Sequence, residues 1–161
     1  MIDQRARILI LGSFPSTASL AAQQYYAHPQ NLFWRIVGEV IGQPLREMAY
    51  ADRIAAVQTA GIAIWDVFAS CSREGSLDSA IRDAVKNDLD GLKKSALAIR
   101  RIGGASALRR VCFNGRMAAT RIREVETAGY EVVVLPSTSP ANAGMGYEEK
   151  LARWREALGE C

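Results

Sequence analysis

The chain has no apolar run of the about 18 residues that a membrane-spanning helix needs, and its 161 residues include one histidine and three cysteines. The first absence excludes a transmembrane helix. Cys71, Cys112 and Cys161 are odd in number and far apart, which excludes a disulfide framework and any CxxC metal or iron–sulfur pattern. Such thiols read as buried or incidental. With His28 the sole histidine, any imidazole relay would rest on that one residue. The segment from Met1 to Arg7 runs directly into a strand pattern and lacks the charged-then-apolar order of a signal peptide, so a cytoplasmic protein is expected. Neither the GxxxxGK[ST] nor the GxGxxG spacing occurs, so the familiar phosphate-cradling loops are missing.

What is present fits one domain over residues 1–161: at 49% hydrophobic and 23% charged, the chain can build a single core. Net charge is only +3, but Arg100, Arg101, Arg109, Arg110, Arg116, Arg121 and Arg123 crowd one region. Such a region either neutralises phosphates or is a solvated helix face.

Arg7–Leu11, Ile62–Asp66, Arg110–Phe113 and Glu131–Leu135 are nearly continuous apolar runs, the pattern of parallel strands covered on both faces. Helical periodicity predicts Asn31–Ile41, Ala51–Ala60 with Gly61 as its stop, Leu89–Ile99, Met117–Ala128 stopped by Gly129, and Tyr147–Leu158 with Leu151, Trp154 and Leu158 on one stripe. Glu74–Asn87 reads as a partly irregular excursion. The alternation predicts a three-layer α/β/α sandwich around a central four-stranded parallel sheet.

The residues just past each strand are the informative ones. The first strand opens into Gly12-Ser13-Phe14-Pro15-Ser16, the second ends at Asp66, the third at Asn114-Gly115 and the fourth at Pro136-Ser137-Thr138-Ser139-Pro140. Open α/β sheets bind ligands at this edge. Gly12 permits a sharp turn and close approach, and Pro15 stiffens the loop beyond it. Asn31 is either the cap of a helix or an amide that holds a water or a substrate edge. Phe33 and Trp34 are core residues or a stacking face; Tyr25 and Tyr26 pack a loop or line a pocket. Asp66 is a cap or a carboxylate at the site edge, and Asn114-Gly115 is most simply a turn. The rigid Ser/Thr/Pro loop is a plain turn or a grip on a phosphodiester backbone. A triad of Ser13 or Ser16 with His28 and Asp66 is conceivable, but the GxSxG elbow is absent.

Three stretches, Leu9–Ser16, Gln24–Trp34 and Leu135–Asn142, together with Trp65-Asp66 through Ser79, resemble the uracil-DNA glycosylase superfamily, most closely its hypoxanthine (deoxyinosine) branch. The resemblance covers nearly the whole chain. It implies a monofunctional enzyme that extrudes a deaminated base from DNA and hydrolyses its N-glycosidic bond, without metal or other cofactor and as a monomer. By the same resemblance Asn31 would orient the water, Gly12, Ser13 and Phe14 would shape the base pocket, and Phe33 would stack on the base. Asp66 and Asn114 would contact the base edge, and Ser16, Ser137, Thr138 and Ser139 would hold DNA.

The chain departs from the uracil-specific members of that family at Phe14, where they carry Asp, Asn or Glu, and at Leu135, where they tend to have His or Asn. Ser16 stands where many relatives have Gly. A uracil or G·U mismatch glycosylase, or a non-catalytic nucleotide- or DNA-binding module on the same fold, is the alternative. If the arginine-dense region meets phosphates, affinity for duplex DNA drops steeply between low and moderate salt; a flat response in a binding titration assigns those side chains to structure.

Overall fold

The computed structural model describes residues 6–72, 82–86 and 108–159. Strands β1 (Ile8–Gly12), β2 (Ile62–Asp66), β5 (Arg110–Asn114) and β6 (Glu131–Leu135) form one sheet in the order β2-β1-β5-β6. Every pair is parallel, with Gly12 opposite Asp66, Leu11 opposite Phe113 and Asn114 opposite Leu135. All four carboxyl ends therefore meet at one edge. After β2 the chain returns to the far side of β1 to lay down β5, so the strand order reverses at β1. A crevice opens at such a reversal.

The apolar runs feed two cores. Side chains alternate across a strand, so Ile8 and Ile10 of β1 enter one cluster while Leu9 and Leu11 enter the other. The first cluster lies under α2 (Phe33–Ile41), α3 (Tyr50–Thr59) and the C-terminal helix α5 (Tyr147–Leu158), and contains Leu151, Trp154 and Leu158 of the predicted stripe. The second takes Ala118 from a 3-10 turn (Ala118–Arg121) and Val125 from α4 (Ile122–Thr127). Sheet and helices make the expected α/β/α sandwich. Cys112 is a buried thiol in the first cluster.

Some boundaries differ from the sequence reading. The first strand runs one residue further, through Gly12, and the third through Asn114, because both continue the ladder. The helix expected from Asn31 begins at Phe33, since Asn31 spends its side chain on the Phe33 N–H from outside the helix. Met117–Ala128 is split into the 3-10 turn and α4. β6 is less covered than predicted, with Val134 exposed.

Three elements were not foreseen: the short helix α1 (Thr17–Ala22), and β3 (Phe68–Ser72) paired antiparallel with β4 (Arg82–Lys86). The β3–β4 pairing has register shifts, so its sequence lacks clean alternation. Leu89–Ile99 and most of Glu74–Asn87 lie outside the described residues. Among the described residues no helix is long and apolar enough to cross a membrane.

Ile10 sits fully buried in the middle strand pair, so Ile10→Ala removes buried methylenes and leaves a void. Urea denaturation should show a loss of about 2–5 kcal/mol.

Candidate functional site

The carboxyl edge carries a narrow crevice with a cavity volume of about 70 Å³. Its walls hold Gly12, Ser13, Phe14 and Ser16 from the first loop, Asn31, Asp66 and Asn114, and Ser137, Thr138 and Ser139 from the last loop. Of the predicted site residues, only Phe33 is not brought there.

Two glycines allow the close approaches. A methyl group on Gly12 would lie 2.5 Å from Asp66 Oδ1 and 3.0 Å from the Tyr26 hydroxyl, so only hydrogen there lets the carboxylate and phenol reach over the strand end. Gly115, at φ +95°, leaves room for Ser137, whose Cβ would be 2.9 Å from an added methyl. The Gly12 and Ser13 carbonyls accept hydrogen bonds from Val67 and Phe68, at 2.9 and 3.2 Å, which ties the first loop to the end of β2.

The last loop is anchored from several sides. The Thr138 N–H donates to Asn114 Oδ1 at 2.9 Å and Asn114 Nδ2 donates to Thr138 Oγ1 at 3.0 Å. The Leu32 N–H donates to the Thr138 carbonyl at 3.0 Å. From α5, Trp154 Nε1 donates to the Pro136 carbonyl at 3.0 Å, and Lys150 Nζ donates to the Asn142 carbonyl at 2.6 Å. Asn142 in turn donates to the Ser137 carbonyl at 3.2 Å. Burial pulls the Lys150 ammonium below the usual lysine range.

Two of the expected contact residues take part in this anchoring. Thr138 is fully buried and its hydroxyl holds the loop. Asn114 spends its amide on the same contact. Ser137 and Ser139 are half-buried; their hydroxyl oxygens accept from the Ser139 and Ala141 N–H groups at 3.2 and 3.3 Å, and a hydroxyl that accepts still has a proton to donate.

Asn31 lies just ahead of α2 and on the crevice wall. Its Oδ1 accepts from the Phe33 N–H at 2.9 Å, which fixes the carboxamide at the start of α2, and the residue lines the crevice. Ser16 likewise caps α1, its Oγ accepting from the Ser19 N–H at 3.1 Å, and remains on the wall. His28 is not on the wall; its Nδ1 accepts from the Gln30 N–H. The Ser–His–Asp triad is therefore not assembled.

Phe33 is fully buried. It stacks on Tyr26 with ring centroids 3.8 Å apart and stands edge-on to Trp34 and Trp154. The ring it stacks on, Tyr26, is on the wall and is held at φ +53°, a left-handed conformation that costs a non-glycine residue about 1–3 kcal/mol and clusters at functional sites. Tyr25 also lines the crevice, its phenol pushed up to about 12, first by burial and then by the Asp66 carboxylate. Ser19, buried and hydrogen-bonded to Ser16, is a wall residue that nothing in the sequence signalled.

The arginine-dense region divides. Arg110 pairs with Glu131 at 3.0 Å and donates to the Ala157 carbonyl, and Arg121 is buried against Glu124. Arg116 lines a second groove, joined to the crevice through Ser137 and Ser139. Arg100 and Arg101 lie outside the described residues. Among the described residues no cluster of three His, Cys, Asp or Glu could hold a metal.

The family profile described as the uracil DNA glycosylase superfamily matches residues 1–158. A hypoxanthine DNA glycosylase of Methanosarcina acetivorans is 45% identical over 142 residues, 88% of this chain and 84% of that protein. One from Methanosarcina barkeri is 36% identical over 158 residues, 98% of this chain and 94% of its own length. The solution NMR structure of a Methanosarcina acetivorans protein, described as a candidate uracil DNA glycosylase, superposes with a TM-score of 0.84 at 41% identity, covering 99% of this chain and 92% of that one.

Removing the Asn114 carboxamide leaves the buried Thr138 N–H and hydroxyl without their partners. Asn114→Ala should lower unfolding free energy by about 1–3 kcal/mol, measured by chemical denaturation, and increase amide exchange at Thr138.

Proposed function

The chain belongs to the uracil-DNA glycosylase superfamily, and we propose that within it this protein is a monomeric, cytoplasmic glycosylase that removes hypoxanthine from DNA. The names of the two curated relatives support hypoxanthine as the base. The observation that carries the reading is the convergence of Asn31, the Gly12–Ser16 loop, Asp66 and the Ser137–Ser139 loop on one crevice.

Extruding a nucleotide costs a few kcal/mol and least at a mismatched base, so deaminated adenine is favoured before any contact is made. Ser137 and Ser139 offer their hydroxyl protons to phosphate oxygens, which accept but never donate. The base enters between the Gly12–Phe14 loop and Tyr26. Tyr26 takes the stacking role first assigned to Phe33, with Phe33 backing it from the core. The Asp66 carboxylate accepts from the N1–H of hypoxanthine. Adenine presents a bare lone pair at N1 and would be repelled, which gives discrimination against the undamaged base.

Asn31 has no basicity near neutral pH, so it does not deprotonate water. Its oxygen uses one lone pair on the Phe33 N–H; the other accepts from a water and holds it below the sugar. The same carbonyl dipole faces the positive charge that develops as the bond to the base stretches. A dipole fixed beforehand needs no reorganisation during the reaction.

Duplexes carrying hypoxanthine, xanthine, uracil or no lesion, treated with alkali after incubation, test the assignment: strand breaks at hypoxanthine are expected, and binding without breaks points to a non-catalytic module. Asn31→Ala should lower kcat by roughly a hundredfold or more. The lost cap costs only about 1 kcal/mol of stability, so a folded variant with unchanged turnover would reject the catalytic role.

A further inference from the structure

We propose that Tyr25 is a further catalytic residue, its phenol donating a hydrogen bond to the purine as that base leaves with the glycosidic electron pair. The inference rests on the glycosylase reading above.

Tyr25 is fixed through its backbone by side chains from two helices. Its N–H donates to the Tyr50 hydroxyl of α3 at 3.0 Å, and its carbonyl accepts from Trp34 Nε1 of α2 at 3.0 Å. Tyr50 and Trp34 themselves pack edge-on, with ring centroids 6.1 Å apart. A loop residue held on both sides by packed aromatics presents its ring in one place. That place is the crevice wall shared with Gly12 and Asp66, and the Asp66 charge acts on the phenol itself.

The electrostatics suit a neutral donor. A lysine or arginine here would pair with Asp66 and be neutralised. A phenol keeps its proton beside the carboxylate, because burial and Asp66 both oppose its ionisation. Asp66 from β2, Tyr50 from α3 and Tyr26 from the same loop face it, with Arg53 over the Trp34 ring at 5.6 Å. When the C1′–N9 bond breaks, its electron pair moves into the purine ring and the water oxygen bonds to C1′. The resulting anion is close to the Asp66 carboxylate, and the Tyr25 hydrogen bond offsets that repulsion. Tyr25 does not transfer its proton: the water proton passes to solvent, and the departed purine anion takes one from solvent. One water is consumed, and free base and abasic site are produced.

The test uses the full chain and an inosine-containing duplex. Wild-type protein that frees no base would overturn the glycosylase reading and this inference with it. With active wild type, Tyr25→Phe should lower kcat by roughly a hundredfold while KM stays unchanged, because the charge exists only in the transition state. Unchanged kcat, or a loss confined to KM, would overturn the inference alone.

Site-specific replacement of Tyr25 by 3,5-difluorotyrosine keeps the ring's shape and makes the phenol more acidic. It covers the case in which the phenylalanine variant does not fold. Wild-type turnover should show no loss from this group below pH 10. The fluorinated protein should lose activity on an alkaline limb shifted toward neutral pH. Coincident pH profiles would overturn the role.

Discussion

A fully buried threonine has to pair its polar groups inside the protein, and Thr138 does so across three elements. It exchanges two hydrogen bonds with Asn114 at the end of β5 and accepts a third from Leu32 at the start of α2. An unpaired buried amide or hydroxyl costs about 1–3 kcal/mol, so these contacts form together or the loop is displaced. Their formation places the last loop beside the Asn31 segment and leaves Ser137 and Ser139, its neighbours, to line the opening. The shape of the crevice therefore depends on a fully buried residue whose hydroxyl pairs with Asn114.

The same division between support and surface runs through the aromatic residues. Trp154, Phe33 and Tyr26 form a series from the core outward, and the last of them lines the crevice. Stacking on Phe33 helps to hold Tyr26 in a backbone conformation it would not adopt freely. Trp34 and Tyr50 do the equivalent for Tyr25 by gripping its backbone. Residues that would touch a base are thus positioned by residues that cannot reach one. Preorganisation of this kind is where binding and transition-state stabilisation originate in a dry site.

Tyr147 and Glu39 supply a smaller instance at the surface. The Tyr147 hydroxyl donates to Glu39 Oε1 at 2.5 Å while Arg35 stacks over its ring at 3.7 Å. Burial and the Glu39 contact push that phenol up to about 12, and the contact lowers the Glu39 carboxyl from its ordinary value. The cluster joins α2 to α5, the two helices that carry Asn31's cap partner and the anchors of the last loop.

The sequence by itself determined the sheet and the edge at which ligands meet it. Four nearly continuous apolar runs fit strands covered on both faces, and parallel pairing then brings their carboxyl ends together. The polar loops at Gly12, Asp66, Asn114 and Pro136 were legible for that reason, as was the place of Asn31 at the start of α2. Tertiary structure decided which face each side chain took. Phe33 and Tyr26, or Thr138 and Ser137, differ little in composition or spacing, and periodicity does not tell a wall from the layer behind it. The pairing of Thr138 with Asn114 spans 24 positions, and contacts at such separation arise from packing and leave no local pattern. The split among the arginines has the same origin, because whether a guanidinium meets Glu131, Glu124 or an open groove depends on which elements lie next to it in space.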